Sequence, residues 1–200
     1  MKEGNRNSRF FRLSTIIRRR RNAIDAIKSD NGEWITNKAD IKEFIVLKFQ
    51  ELFTEETTCF PPELDELIAP SISTQENDLL CLIPSAEEIK DTLFGMQNLK
   101  APSPDGLQVL FYKHYWSIVG NTVIKAVQKN FRSRHLLFEV NNSFIVLIPK
   151  NTAPSIVNHF RLISLCNIVY KVIVKILMSK LRPLLANLIS PGQFTFVLDR

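Results

Sequence analysis

From Ser143 to Pro149 the chain reads SFIVLIP, and no wholly apolar run in the sequence is longer than the five residues from Phe144 to Ile148. That length is far too short to span a bilayer but right for a β-branched strand between polar ends. The spacing predicts a buried strand over 143–149. Almost everywhere else the apolar residues recur at three- and four-residue intervals, the period of amphipathic helices. The predicted class is therefore α+β and mostly helical. With 45% apolar and 23% charged residues, the 200-residue chain can pack a core.

Helices are predicted along most of the length. Phe10, Leu13, Ile17, Ile24 and Ile27 make one stripe from Asn5 to Lys28, ended by the Asp30-Asn31-Gly32 turn. A second helix covers Ala39 to Phe53, with Asn37 as its cap. Residues 54–84 carry four prolines and many acids and read as a linker with brief helical turns at most. Ser85 with Glu88 forms a capping box for a third helix, whose buried stripe is Ile89, Thr92, Leu93 and Met96. Lys100-Ala101-Pro102-Ser103-Pro104-Asp105-Gly106 makes a rigid turn. Helical segments follow near Leu107–Ile118 and Thr122–Arg132, then the strand, then an extended piece at His159–Ser164. A long helix covers Ile168–Arg182, with Lys171 and Lys175 one turn apart on its polar side, and Pro183 kinks it or begins the next turn.

Charge is unevenly spread. Residues 1–30 hold nine basic and three acidic side chains, residues 31–100 five and fourteen, and residues 101–200 twelve and three. Two basic ends flank an acidic middle. Separate basic surfaces suit a polyanion such as an RNA or DNA backbone, because each phosphate neutralised releases counterions. Any single charge run is more often a solvated face. The run Arg18-Arg19-Arg20-Arg21 fits a phosphate contact, a nuclear localisation signal or a plain solvated helix. Cys59, Cys81 and Cys166 form no framework, His114, His135 and His159 are scattered, and no C-x-x-C pair occurs. This argues against zinc and fits a reducing compartment, nuclear or cytoplasmic. The N-terminus lacks the apolar core of a secretory signal, and no membrane partner is expected.

Few residues carry an obvious chemistry. No G-x-S-x-G, Walker loop, H-E-x-x-H or Gly-rich dinucleotide turn occurs. Glu55-Glu56 and Glu87-Glu88 are adjacent pairs, which diverge on a helix and read as solvated. Lys150 ends the predicted strand behind a proline, and Arg161 opens the next extended piece. Two cations at strand ends could clamp a triphosphate, although a strand-end lysine usually serves solubility.

Several segments carry a family likeness. KAPSPDGLQVLFYKHYW from Lys100 to Trp116 is similar to the A-P-G-P-D-G segment of LINE-type (non-LTR retrotransposon) reverse transcriptases. IVLIPK at Ile145–Lys150 resembles their next strand, and FRLISLCN at Phe160–Asn167 resembles F-R-P-I-S-L-C-N. ISPGQFTFVLDR resembles I-S-P-x-Q-x-A-F-V-x-G-R, and the opening GNRNSRFF resembles a motif that precedes the polymerase domain in plant elements. The order and spacing span nearly the whole chain.

The resemblance implies the N-terminal extension, fingers and start of the palm of a right-hand polymerase. The implied layout is a basic segment with a second helix over 1–53, a linker over 54–84 and an incomplete polymerase domain over 85–200. It implies that Lys150 and Arg161 face the phosphates of a deoxynucleotide triphosphate, and that Lys100, Pro104, Asp105 and Gly106 lie along template RNA. Gln193, Phe194 and Phe196 would lie just before the catalytic strand. The complete enzyme uses Mg²⁺ on aspartates of a later strand and an F-x-D-D turn. None of these stands in this sequence, so the chain is expected to hold no cofactor and to be inactive alone. Ser103 where glycine is usual, Leu162 for proline, Asn5 for aspartate, Arg12 for histidine, and Thr195 and Leu198 depart from the pattern and suggest a decayed element or partial gene. A serine at 103 would strain the turn if a positive φ were needed there. The alternative is a small basic module that binds nucleic acid or a partner without catalysis.

Overall fold

A computed structural model describes residues 9–54 and 71–189. The expectations for residues 5–8, 55–70 and 190–200, including Gln193, Phe194 and Phe196, fall outside them. The chain divides into two compact units. One draws its described residues from 1–59 and 145–163, the other from 60–144 and 164–200.

The first unit begins with α1, Arg9–Arg21, which has six arginines and no acid. This helix is shorter than the predicted 5–28. Ile24 and Ile27 do not continue its stripe; they join a small core with Ile41 and Phe160. Ile27 lies instead in β1, Ile27–Lys28, which pairs antiparallel with β2, Trp34–Ile35. Burial in that cluster outweighs the local helical spacing. The Asp30-Asn31-Gly32 turn closes this hairpin, with Gly32 at φ 82°, where a side chain would be strained. Helix α2, Lys38–Phe53, starts at Asn37, whose side-chain oxygen accepts the Ala39 N–H at 2.9 Å. Lys48 ties α2 to the turn through Asp30 at 2.7 Å and also bonds Glu51 at 3.1 Å. Those two hydrogen bonds, Asp30 first, raise its pKa.

The second unit is helical. Residues 71–84, expected to hold brief turns at most, contain the two-turn helix α3, Thr74–Cys81. A complete capping box starts it: Ser73 accepts from the Glu76 N–H, and the Glu76 carboxylate accepts the Ser73 N–H at 2.8 Å. Those bonds hold the Glu76 pKa below its usual value. Helix α4, Ala86–Phe94, begins at Ser85, which accepts the Glu88 N–H at 3.0 Å. Helices α5, Val109–His114, and α6, Trp116–Ser133, meet at Tyr115. A one-turn α7, Phe138–Asn141, follows. The last helix, α8, is Ile168–Leu188 and runs through Pro183 without ending there.

Ile89 and Leu93 of α4, Val123 and Val127 of α6, and Ile168, Val172, Ile173 and Ile176 of α8 form the main core, with Val109 and Tyr112 of α5. These are the faces that the helical spacing marks as apolar. Trp116 meets Phe94 edge-on at 5.6 Å and lies over Gly120, where a Cβ would come within 2.7 Å of the indole.

Strand β3, Ser143–Pro149, pairs with β4, Phe160–Cys166, in a second two-stranded antiparallel sheet. The strand is where it was expected but is not buried. Phe144 is 57% exposed and Ile145 44%, and Leu162 and Ile163 in β4 are each 40% exposed. A β-branched run marks a strand, and burial then depends on what packs over it.

Candidate functional site

The best-defined site candidate is the loop 95–108 of the second unit, with the start of α8. Gly106 has φ 74° and donates its N–H to the Ser103 carbonyl at 2.9 Å, which makes the tight turn. The Asp105 carboxylate accepts the Leu107 N–H at 3.0 Å and a hydrogen bond from the Tyr112 hydroxyl. Burial pushes the Tyr112 pKa up to about 12, with the negative charge and hydrogen bond of Asp105 adding to it. Ser103 is not at positive φ, so the expected strain is absent. It is buried, and its Oγ donates to the Cys166 carbonyl at 2.9 Å, across 63 positions of sequence.

Two further bonds fix the loop's first half. Lys113 Nζ donates to the Met96 carbonyl and to Asn98 Oδ1, both at 2.7 Å. Gln108 donates to the Lys100 carbonyl at 3.0 Å. The Lys100 side chain is left exposed. Beside it the loop and α8 enclose a cavity of about 480 Å³. Lys100, Lys171 and Lys175 stand at its wall, with Tyr170, Val109 and Val174, and among the described residues no carboxylate lines it. A smaller recess of about 250 Å³ continues past Lys175 to Arg182, with Asp91 on its rim. The lysine spacing of α8 is legible in sequence; that a loop 70 residues earlier faces it is not.

The first unit holds the other candidates. Arg18 to Arg21 form the last turn of α1, and all four are exposed. Cations there also complement the carbonyl end of a helix. Lys150 is exposed rather than set at the end of a buried strand. Its Nζ donates to the Asn158 carbonyl at 2.8 Å, and its N–H to the His159 carbonyl at 2.8 Å. That backbone bond sets Lys150 beside His159, and exposed Arg161 follows two residues on, in β4. The His159 ring is occupied locally, accepting the Ser155 N–H at Nδ1. Lys150 and Arg161 therefore share one hairpin, while Lys100, Pro104, Asp105 and Gly106 share one loop of the other unit.

Among the described residues no group of three His, Cys, Asp or Glu side chains is placed to hold a metal ion. No helix among them is long and apolar enough to cross a membrane.

No protein-family model matches the chain. It is 24% identical over 190 residues to a protein of Xenopus laevis described as "Transposon TX1 uncharacterized 149 kDa protein". The chain is similar to part of a transposon-encoded protein. The match covers 94% of this chain but 14% of the Xenopus protein.

Proposed function

We propose that this chain supplies nucleic-acid and nucleotide binding to a non-LTR reverse transcriptase, as the front of a right-hand polymerase fold. The observation that carries the reading is the β3–β4 hairpin, on which Lys150 and Arg161 are both exposed cations. These are the two residues that the resemblance assigns to the nucleotide's phosphates. The pinned loop 100–106 and the arginine run of α1 add cations for a template backbone. The relationship to a transposon-encoded protein fits this reading.

The test is RNA binding by the purified chain across a salt series, beside a variant with Arg18 to Arg21 changed to alanine. Several phosphate contacts would cut affinity by orders of magnitude between about 50 and about 200 mM salt, and the variant would bind more weakly with a shallower slope. Salt-independent retention, or none, would sink the proposal. A deoxynucleotide triphosphate crosslinked to the parent but not to a Lys150→Gln, Arg161→Gln variant would locate the phosphates on the hairpin.

A further inference from the structure

We infer that the groove between α2 and β3 receives an amphipathic helix of a partner protein, with its apolar stripe laid into the groove and carboxylates on the flank that meets Lys38 and Lys42. The inference adds a protein partner to the nucleic-acid reading above and does not rest on it.

The groove belongs wholly to the first unit. Ile41, Phe44 and Ile45 of α2 face the small core around Ile27 and Phe160. The apolar surface of α2 continues past that core. Val46, Phe49 and Phe53 form one wall of a cavity of about 600 Å³, and Ile145 and Leu147 of β3 form the other. Val46 is 45% exposed, Phe53 65% and Ile145 44%. Single exposed apolar side chains are ordinary, but a contiguous concave set marks a docking surface. Phe49 and Phe53 stack with ring centroids 6.2 Å apart, which makes the far end of the wall aromatic.

Shape and charge together name the occupant. The α2 residues in the wall recur at three- and four-residue steps from Lys38 to Phe53, the ridge spacing into which another helix packs. The stretch is about four turns, or about 22 Å, long. A helix bound in such a groove reads as apolar anchors at the same spacing. Lys38 and Lys42 line the groove, and among the described residues neither has an ion-pair partner. Lys38 stands in the first turn, where a cation works against the helix dipole, so the stability of α2 does not account for it. The acids of α2 lie outside the groove. Asp40 is on the far side by the helical period, Glu51 is bonded to Lys48, and Glu43 borders the outer rim, one turn before Val46. An acidic helix therefore meets lysines inside the groove, and a basic one would meet only like charge there.

The groove is formed before a partner arrives. Asn37 caps α2, Lys48 ties it to the β1–β2 turn through Asp30, and Leu147 packs on the core. Walls fixed in this way lose little freedom on binding, which leaves more of the contact energy as affinity.

The experiment is fluorescence anisotropy on the full chain with a labelled synthetic helical peptide of about four turns, carrying leucines at helical spacing on one face and glutamates on both flanks. It should bind, and the same peptide with lysines for the glutamates should bind at least about tenfold more weakly. Val46→Ser with Phe53→Ser, both exposed in the parent, should weaken binding at least about tenfold. Lys38→Glu with Lys42→Glu should weaken the glutamate peptide and strengthen the lysine peptide, a reversal that misfolding cannot produce. Thermal melts matching the parent show that each variant is folded. No binding, equal binding of the two peptides, or an unchanged affinity in either groove variant overturns the inference. So does binding that is kept in the groove variants and lost in the Arg18–Arg21 variant, which would give the peptide to α1. If the parent binds no peptide but self-associates in sedimentation velocity, and Val46→Ser with Phe53→Ser makes it monomeric, the groove takes a second copy. If peptide binding appears only after Leu64→Ser with Leu67→Ser, the chain fills its own groove. Either result replaces the partner helix. None of these outcomes decides the salt series with RNA, so the two readings fail separately.

Discussion

Asp105 turns its carboxylate inward, to the Leu107 N–H and the Tyr112 hydroxyl. Its visible work is to shape the loop that carries Lys100. Tyr112 is the titrating partner. Its folded-state pKa of about 12 lies above the ordinary phenol value of 10.0, so the neutral form is favoured by folding. The stability this gives is complete below about pH 10 and is lost as the pH rises toward about 12. Tyr112→Phe should therefore cost about 1 kcal/mol at neutral pH in urea unfolding, and the gap between variant and parent should narrow above pH 10. Every other side chain is common to both proteins, so the difference isolates the phenol. A gap that stays constant with pH would refute the coupling. The rigid turn at 102–106 was legible in its prolines and Asp-Gly. The Ser103 bond to Cys166 was not, because nothing local in either segment names the other.

Helix starts were the most legible elements. Asn37 and Ser85 cap where their side chains predict, because capping is settled within three residues. Ser85→Ala should cost about 1 kcal/mol in urea unfolding. Leu93→Ala, which empties a fully buried position on the same helix, should cost about 2–5 kcal/mol. If the cap variant proved the more damaging, α4 would owe more to its start than to its packing. Helix ends and burial were less legible. The stripe from Phe10 to Ile27 fits a helix throughout, yet Ile27 is buried by residues from α2 and β4. The exposed faces of β3 and β4 could not be read either, since a β-branched apolar run reports a strand and not its neighbours. Pro183 sits inside α8, where a proline removes one helical hydrogen bond.

At the scale of the whole chain, the acidic middle and basic ends were readable in full from composition. The division into two units was not, because residues 145–163 leave their sequence neighbours to join the N-terminal unit. Within the described residues β3 and β4 pair only with each other, so each keeps an open edge beside exposed apolar side chains. Such edges recruit further strands. Sedimentation velocity should show concentration-dependent self-association, reduced by Phe144→Lys with Leu162→Lys. A parent that stays monomeric at every concentration would show the edges to be protected.

The arginine run has a practical consequence as well. Four exposed arginines end α1, and residues 22–26 beyond them are neither helix nor strand. Trypsin-like proteases cut after arginine, and they favour exposed, irregular segments. A chain handled in an extract should be nicked there first and shed its most basic segment, while Ile27 and the core that buries it stay intact. Polyanion binding would then decline with storage while spectra of the fold hardly changed.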